Sequence, residues 1–81
     1  MPRLRRLSSD ELVRILRRSR FGVAAQRGSH AKLVRVASDG ERQIVTIPLH
    51  RHLAAGALHA IYRRTARFVP SVALRRAFFT D

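Results

Sequence analysis

The sequence predicts an α+β domain of order α-β-β-β-α with a short C-terminal helix, its two main helices lying on one face of a three-stranded antiparallel sheet. Three observations carry this. Two segments place residues at i, i+3, i+4 and i+7 on one side and arginines on the other, the spacing of an amphipathic helix. Between them, three period-two or β-branched runs are divided by Gly-Ser and Asp-Gly turn signals. The connections between those runs are only a few residues long, so consecutive strands must pair antiparallel.

Met1 to Leu7 reads as a short basic lead-in, mobile apart from Leu4 and Leu7. Ser8 with Glu11 three residues on forms a capping box, and Asp10 and Glu11 in the first turn suit the helix dipole. Leu12, Ile15, Leu16 and Ser19 then share a side opposite Arg14, Arg17 and Arg18, which gives a helix over about residues 9–19. Phe21, Val23 and Ala25 alternate with small or polar residues up to Arg27, and Gly28-Ser29 turns the chain. His30 to Ala37 is the second strand, closed by Ser38-Asp39-Gly40-Glu41, and Arg42 to Ile47 is the third, stopped by Pro48. Leu49 to Ala55 is a loop carrying His50, Arg51 and His52. Gly56 precedes a second helix, on which Leu58, Ile61, Tyr62 and Thr65 repeat the helical spacing. Pro70 is placed as the first residue of a last short helix, with Leu74 and Phe78 four apart.

The 81 residues make one domain, 1–81, and 46% apolar composition is enough for a single core. Seventeen basic residues against five acidic ones give a net charge of +12. That field favours a polyanionic partner: nucleic acid, an acidic protein or an anionic membrane. Sixteen of the cations are arginine and only Lys32 is lysine, but a GC-rich genome writes the same bias, so the charge is the informative part. The absence of cysteine excludes disulfides and thiolate chemistry. Apolar runs are only a few residues long, so neither a bilayer span nor a secretory signal is read, and the expected compartment is the cytoplasm.

The five carboxylates are accounted for by the helix start (Asp10, Glu11), the hairpin (Asp39, Glu41) and the terminus (Asp81). No pair remains for glycosidase-type acid/base work or for holding magnesium, and no P-loop is present. Four histidines are left. His50 and His52, at i and i+2 in a loop, lack a third ligand, so no metal site and no cofactor is expected. His59, on the arginine-bearing side of the second helix, reads as a solvated or phosphate-contacting side chain. His30 differs, because it follows Gly28-Ser29 at the mouth of a strand with Arg27, Lys32 and Arg35 close in sequence. A histidine among cations can exchange protons near neutrality while its neighbours hold a phosphate.

Four segments resemble one known family. Asp10-Glu11-Leu12-Val13-Arg14-Ile15-Leu16 is similar to the first-helix segment of the HicA (YcfA-like) toxins. Arg27-Gly28-Ser29-His30 resembles their Gly-Ser/Thr-His motif, and Ile47-Pro48-Leu49-His50 their Val-Pro-x-His. Gly56-Ala57-Leu58-His59-Ala60-Ile61-Tyr62-Arg63 resembles their Gly-Thr-Leu-x-x-Ile-Leu-Arg helix. The resemblance runs over about residues 7–68 and leaves residues 69–81 as a basic extension. The chain departs from the family at Arg20, where a glycine is usual before Phe21, and at Ala57, where a threonine is usual.

The resemblance implies a double-stranded-RNA-binding-domain-like fold and a toxin of a type II toxin-antitoxin system, an endoribonuclease acting on mRNA. It also implies a HicB-type antitoxin, expected to be acidic and to cover the site. The family's catalytic histidine falls on His30. The mechanism expected on that basis needs no metal: His30 assists attack of the RNA's own 2′-hydroxyl on the adjacent phosphodiester. Arg27, Gly28, Ser29, Lys32 and Arg35 would bind RNA and stabilise the developing charge, with His50 a lesser candidate for an acid or base. The alternative keeps the fold and charge but drops catalysis, leaving a basic RNA- or DNA-binding module in which His30 only contacts phosphate. A membrane-surface protein stands third, since the helices carry few bulky aromatics for interfacial insertion.

Overall fold

The computed structural model describes residues 2–80; Met1 and Asp81, at the ends of the lead-in and of the basic extension, lie outside the described residues. The elements run β1 (Arg3–Leu4), α1 (Ser9–Arg18), β2 (Gly22–Arg27), β3 (His30–Val36), β4 (Arg42–Pro48), α2 (Ala55–Phe68), α3 (Val72–Phe78) and β5 (Phe79–Thr80). Strands β2, β3 and β4 form the expected antiparallel meander in that spatial order. Alternation along β3 and β4 turns Ala31, Leu33, Val45 and Ile47 towards α1 and α2, where they are buried with Leu12, Leu16, Leu58 and Ile61. Among the described residues no helix covers the other sheet face, where His30, Val36, Arg42 and Thr46 are exposed.

The capping box at the start of α1 is complete. The Ser8 side chain accepts from the Glu11 backbone, and the Glu11 carboxylate accepts from the Ser8 N–H at 3.0 Å. The Ser8 backbone and hydroxyl hold the Glu11 carboxyl below its ordinary pKa, so this contribution to stability is present at neutral pH and is lost as acid protonates the group.

The end of α1 explains how the chain accommodates Arg20. The Phe21 N–H donates to the Leu16 carbonyl and the Arg20 N–H to the Arg17 carbonyl, both at 3.0 Å, which together make a Schellman motif. That motif needs a left-handed residue at Arg20, and Arg20 sits at φ 70°, a conformation that favours glycine. Phe21, the residue after it, is buried against the same helix. Arg20→Gly is therefore expected to stabilise the fold by about 1 kcal/mol, read as a raised urea midpoint at unchanged slope. An unchanged or lowered midpoint would show that the arginine side chain offsets the backbone strain.

Five expectations need correction. The lead-in does not stand apart, because β1 pairs with β5 in the register Arg3 with Thr80 and Leu4 with Phe79, and the Arg5 N–H donates to the Phe78 carbonyl at 2.7 Å. Two-residue strands are too short to carry a period, and their pairing joins opposite ends of the sequence. Strand β2 is exposed along its whole length; Val23 is 40% exposed, and only Phe21, just ahead of the strand, is buried. As an edge strand whose register shifts between Val23 and Ala25, β2 does not need an apolar stripe. Pro48 does not stop β4 from outside but ends it from within, opposite His30. Pro70 lies ahead of α3 instead of starting it, because the Ser71 hydroxyl caps that helix by accepting from the Leu74 N–H at 2.9 Å. Helix α2 begins at Ala55, one residue before Gly56, and has no side-chain cap.

Helix α3 closes the core that α1, α2 and the sheet leave open. Leu74 and Phe78 are buried in the same cluster as Leu12 and Leu33. The Tyr62 ring meets Phe78 at 5.2 Å and Phe79 edge-on at 5.0 Å.

Candidate functional site

The sequence Arg27-Gly28-Ser29-His30 folds as a two-residue hairpin, with Arg27 and His30 directly paired across it. Gly28 supplies the φ of +57° that the first turn position requires, and Ser29 follows without a positive φ, the pattern of a type II′ turn. The Leu49 N–H donates to the Ser29 carbonyl at 2.6 Å, tying the turn to the exit of β4. His30 is thus held on both sides, by Arg27 on β2 and by Pro48 on β4, while its side chain is exposed.

The Ser29 hydroxyl lies 3.4 Å from His30 Nδ1, the long end of a hydrogen bond. Parity then decides which cations share the histidine's face. Residues two apart on a strand point the same way, so Lys32 lies on the helix-free face with His30 and Arg27. Across the strands, Lys32 pairs with Thr46, and Arg42 follows at the far end of the same face. Neither Thr46 nor Arg42 stood out in the sequence, and the signal that finds them is their parity with Pro48 on β4.

Arg35 does not join this group. It has the parity of Ala31 and Leu33 and lies on the helix-covered face, about 17 Å along the strand from His30 at 3.3 Å per residue. There it donates from its guanidinium to Gln43 Oε1 at 2.7 Å. Nearness in sequence suggested a shared site, but an odd separation along a strand reverses the face.

His50 is exposed, two residues beyond Pro48 at the same end of the sheet. Its carbonyl accepts from the Ser9 N–H at 3.1 Å, so its backbone is fixed to the start of α1 while its imidazole is free. The exposed His59 ring lies 5.9 Å from that of Phe79, tilted at 52°. Among the described residues, no three histidine, aspartate or glutamate side chains gather as a metal-ligating group. Nor is any helix among them long and apolar enough to cross a membrane.

The arrangement brings an imidazole, two cations and a hydroxyl to one open hairpin end. Such a surface can hold a phosphodiester and exchange a proton with a hydroxyl beside it. The model of the family described as HicA toxin of bacterial toxin-antitoxin matches residues 9–66, well over half of the chain. No curated protein and no solved structure matches.

Proposed function

The chain belongs to the HicA toxin family of bacterial toxin-antitoxin systems, and on that premise we propose that it is an endoribonuclease that cleaves mRNA without a metal. The observation that carries the reading is the placement of His30. It is exposed, fixed by strands on both sides, directly paired with Arg27 and on one face with Lys32.

In this reaction His30 Nε2 takes the proton of a ribose 2′-hydroxyl as the 2′-oxygen bonds to the adjacent phosphorus. The bond from phosphorus to the 5′-oxygen breaks, and that oxygen takes up a proton, for which the exposed His50, as imidazolium, is a candidate donor. Arg27 and Lys32 balance the charge that builds on the non-bridging oxygens. The products are a 2′,3′-cyclic phosphate and a 5′-hydroxyl. Ser29 acts as a positioning residue through Nδ1, and Gly28 keeps the turn tight enough for a phosphate to approach.

Membership of a toxin-antitoxin family implies an antitoxin partner. The partner we propose is an acidic HicB-type protein that covers Arg27, His30 and Lys32 in the cytoplasm. The net charge of +12 would steer it onto the face that draws RNA.

Titration separates this reading from a partner of another kind. A single-stranded RNA and the DNA of the same sequence should both bind, and only the RNA should be cut, because DNA lacks the 2′-hydroxyl. With about four to eight phosphates engaged, the log–log salt slope should lie near 3–6, at roughly 0.7 per contact. A slope near zero would exclude a nucleic-acid substrate, and cleavage of the DNA would exclude the 2′-hydroxyl route.

A further inference from the structure

The helix-covered face holds a second cationic site. Arg18 and Arg20 at the end of α1 and Arg35 near the end of β3 line one cavity of about 320 Å³, walled on its other side by the loop and helix from Val69 to Ala77. No acidic residue lines it. Arg18 and Arg20 are exposed and Arg35 is half-buried, so like charges face one another across an open cavity, and an anion between them would lower their mutual repulsion.

Two details of the arginines around the cavity bear on a ligand. The Arg35 guanidinium is held by Gln43 at 2.7 Å, yet its buried Nε–H has no hydrogen-bond partner among the described residues. A buried donor without a partner is a costly state, and a turn of the Arg35 side chain that brought Nε–H to the cavity would let an anion there satisfy it. Arg20, for its part, keeps a left-handed φ of 70° where a glycine would be unstrained. The hydroxyl of Ser71, at the rim, accepts from the Leu74 N–H and retains its own proton to donate.

We propose that Arg18, Arg20 and Arg35 form a phosphate-binding pocket, separate from the His30 surface and at the opposite end and face of the sheet. Arginine's planar fork matches phosphate oxygens, and the cavity of about 320 Å³ has room for one or two phosphoryl groups. Val69, Ser71 and Ala73 lie beyond the residues that match the family, so the far wall of the pocket is built by the chain's C-terminal part. The inference stands on this geometry and not on the proposed ribonuclease activity.

The test is a chemical-shift titration of the full chain, following arginine Nε–H resonances, with pyrophosphate and separately with a short oligodeoxythymidylate at constant ionic strength. Pyrophosphate should saturate and move the Arg35 resonance. Arg35→Gln and Arg20→Gly should each weaken it by about tenfold or more, the loss of one charged hydrogen bond. Arg20→Gly relieves the backbone strain, so its effect cannot be blamed on unfolding. Arg63→Gln, an exposed cation of α2 that does not line the cavity, removes the same charge and should change little. If the two pocket variants also weaken the oligonucleotide, the phosphate is presented by nucleic acid; if only pyrophosphate suffers, the ligand is a free anion. Equal losses in Arg63→Gln and the pocket variants, or no saturation, would overturn the pocket and leave only diffuse charge attraction.

Discussion

His30→Ala should abolish RNA cleavage by the full chain, lowering the rate by about 10²–10⁴-fold, the usual contribution of a positioned acid–base group. The same substitution should leave the urea midpoint almost unchanged, because an exposed side chain outside the core contributes within about 0.5 kcal/mol. Binding of an uncleavable DNA strand should fall only slightly, since Arg27 and Lys32 still face the phosphates. The three readouts together separate chemistry from folding and from binding. Cleavage that persists in a folded His30→Ala chain would remove His30 from the reaction and favour a non-catalytic nucleic-acid-binding module of the same fold.

Phe78→Ala should destabilise the domain by about 3–5 kcal/mol, the cost of a cavity left by a buried aromatic ring. Phe78 is 0% exposed, packs on Tyr62 at 5.2 Å, and its carbonyl accepts from Arg5, so one residue joins α2, α3 and the N-terminal strand. Against a total stability of about 5–15 kcal/mol, that loss is enough to unfold a domain at the low end of the range. Phe78→Leu should retain most of the stability by filling most of the volume. Urea denaturation of the two variants checks both statements. A cost below about 1 kcal/mol for Phe78→Ala would mean that α3 is a peripheral attachment and not part of the core.

The helices and the order of the three strands were legible because each leaves a local signal. Ser8 and Glu11 announce the start of α1, and Gly28-Ser29 and Asp39-Gly40 mark the two hairpins. The pairing of Arg3–Leu4 with Phe79–Thr80 was not legible, since it depends on contacts between distant ends and not on any pattern within either segment. At the candidate site, Arg27, Ser29, His30 and Lys32 came together as expected because a two-residue turn fixes their register. Arg35 separated from them for an equally simple reason. Sequence distance along a strand gives proximity only when its parity also agrees, and Arg35 shares its face with Leu33 instead. The pocket it helps to line needed the C-terminal helix in place, which no short-range pattern ties to Arg18 or Arg20.

The most direct test of the central claim is the chemistry of the cleaved ends, measured on a single-stranded RNA incubated with the full chain in excess chelator. Cleavage should be undiminished by the chelator, the fragments should end in a 2′,3′-cyclic phosphate and a 5′-hydroxyl, and no cut should occur where a single 2′-deoxynucleotide replaces the nucleotide 5′ to the scissile bond. Loss of cleavage in chelator, or fragments bearing a 5′-phosphate and a 3′-hydroxyl, would contradict the claim.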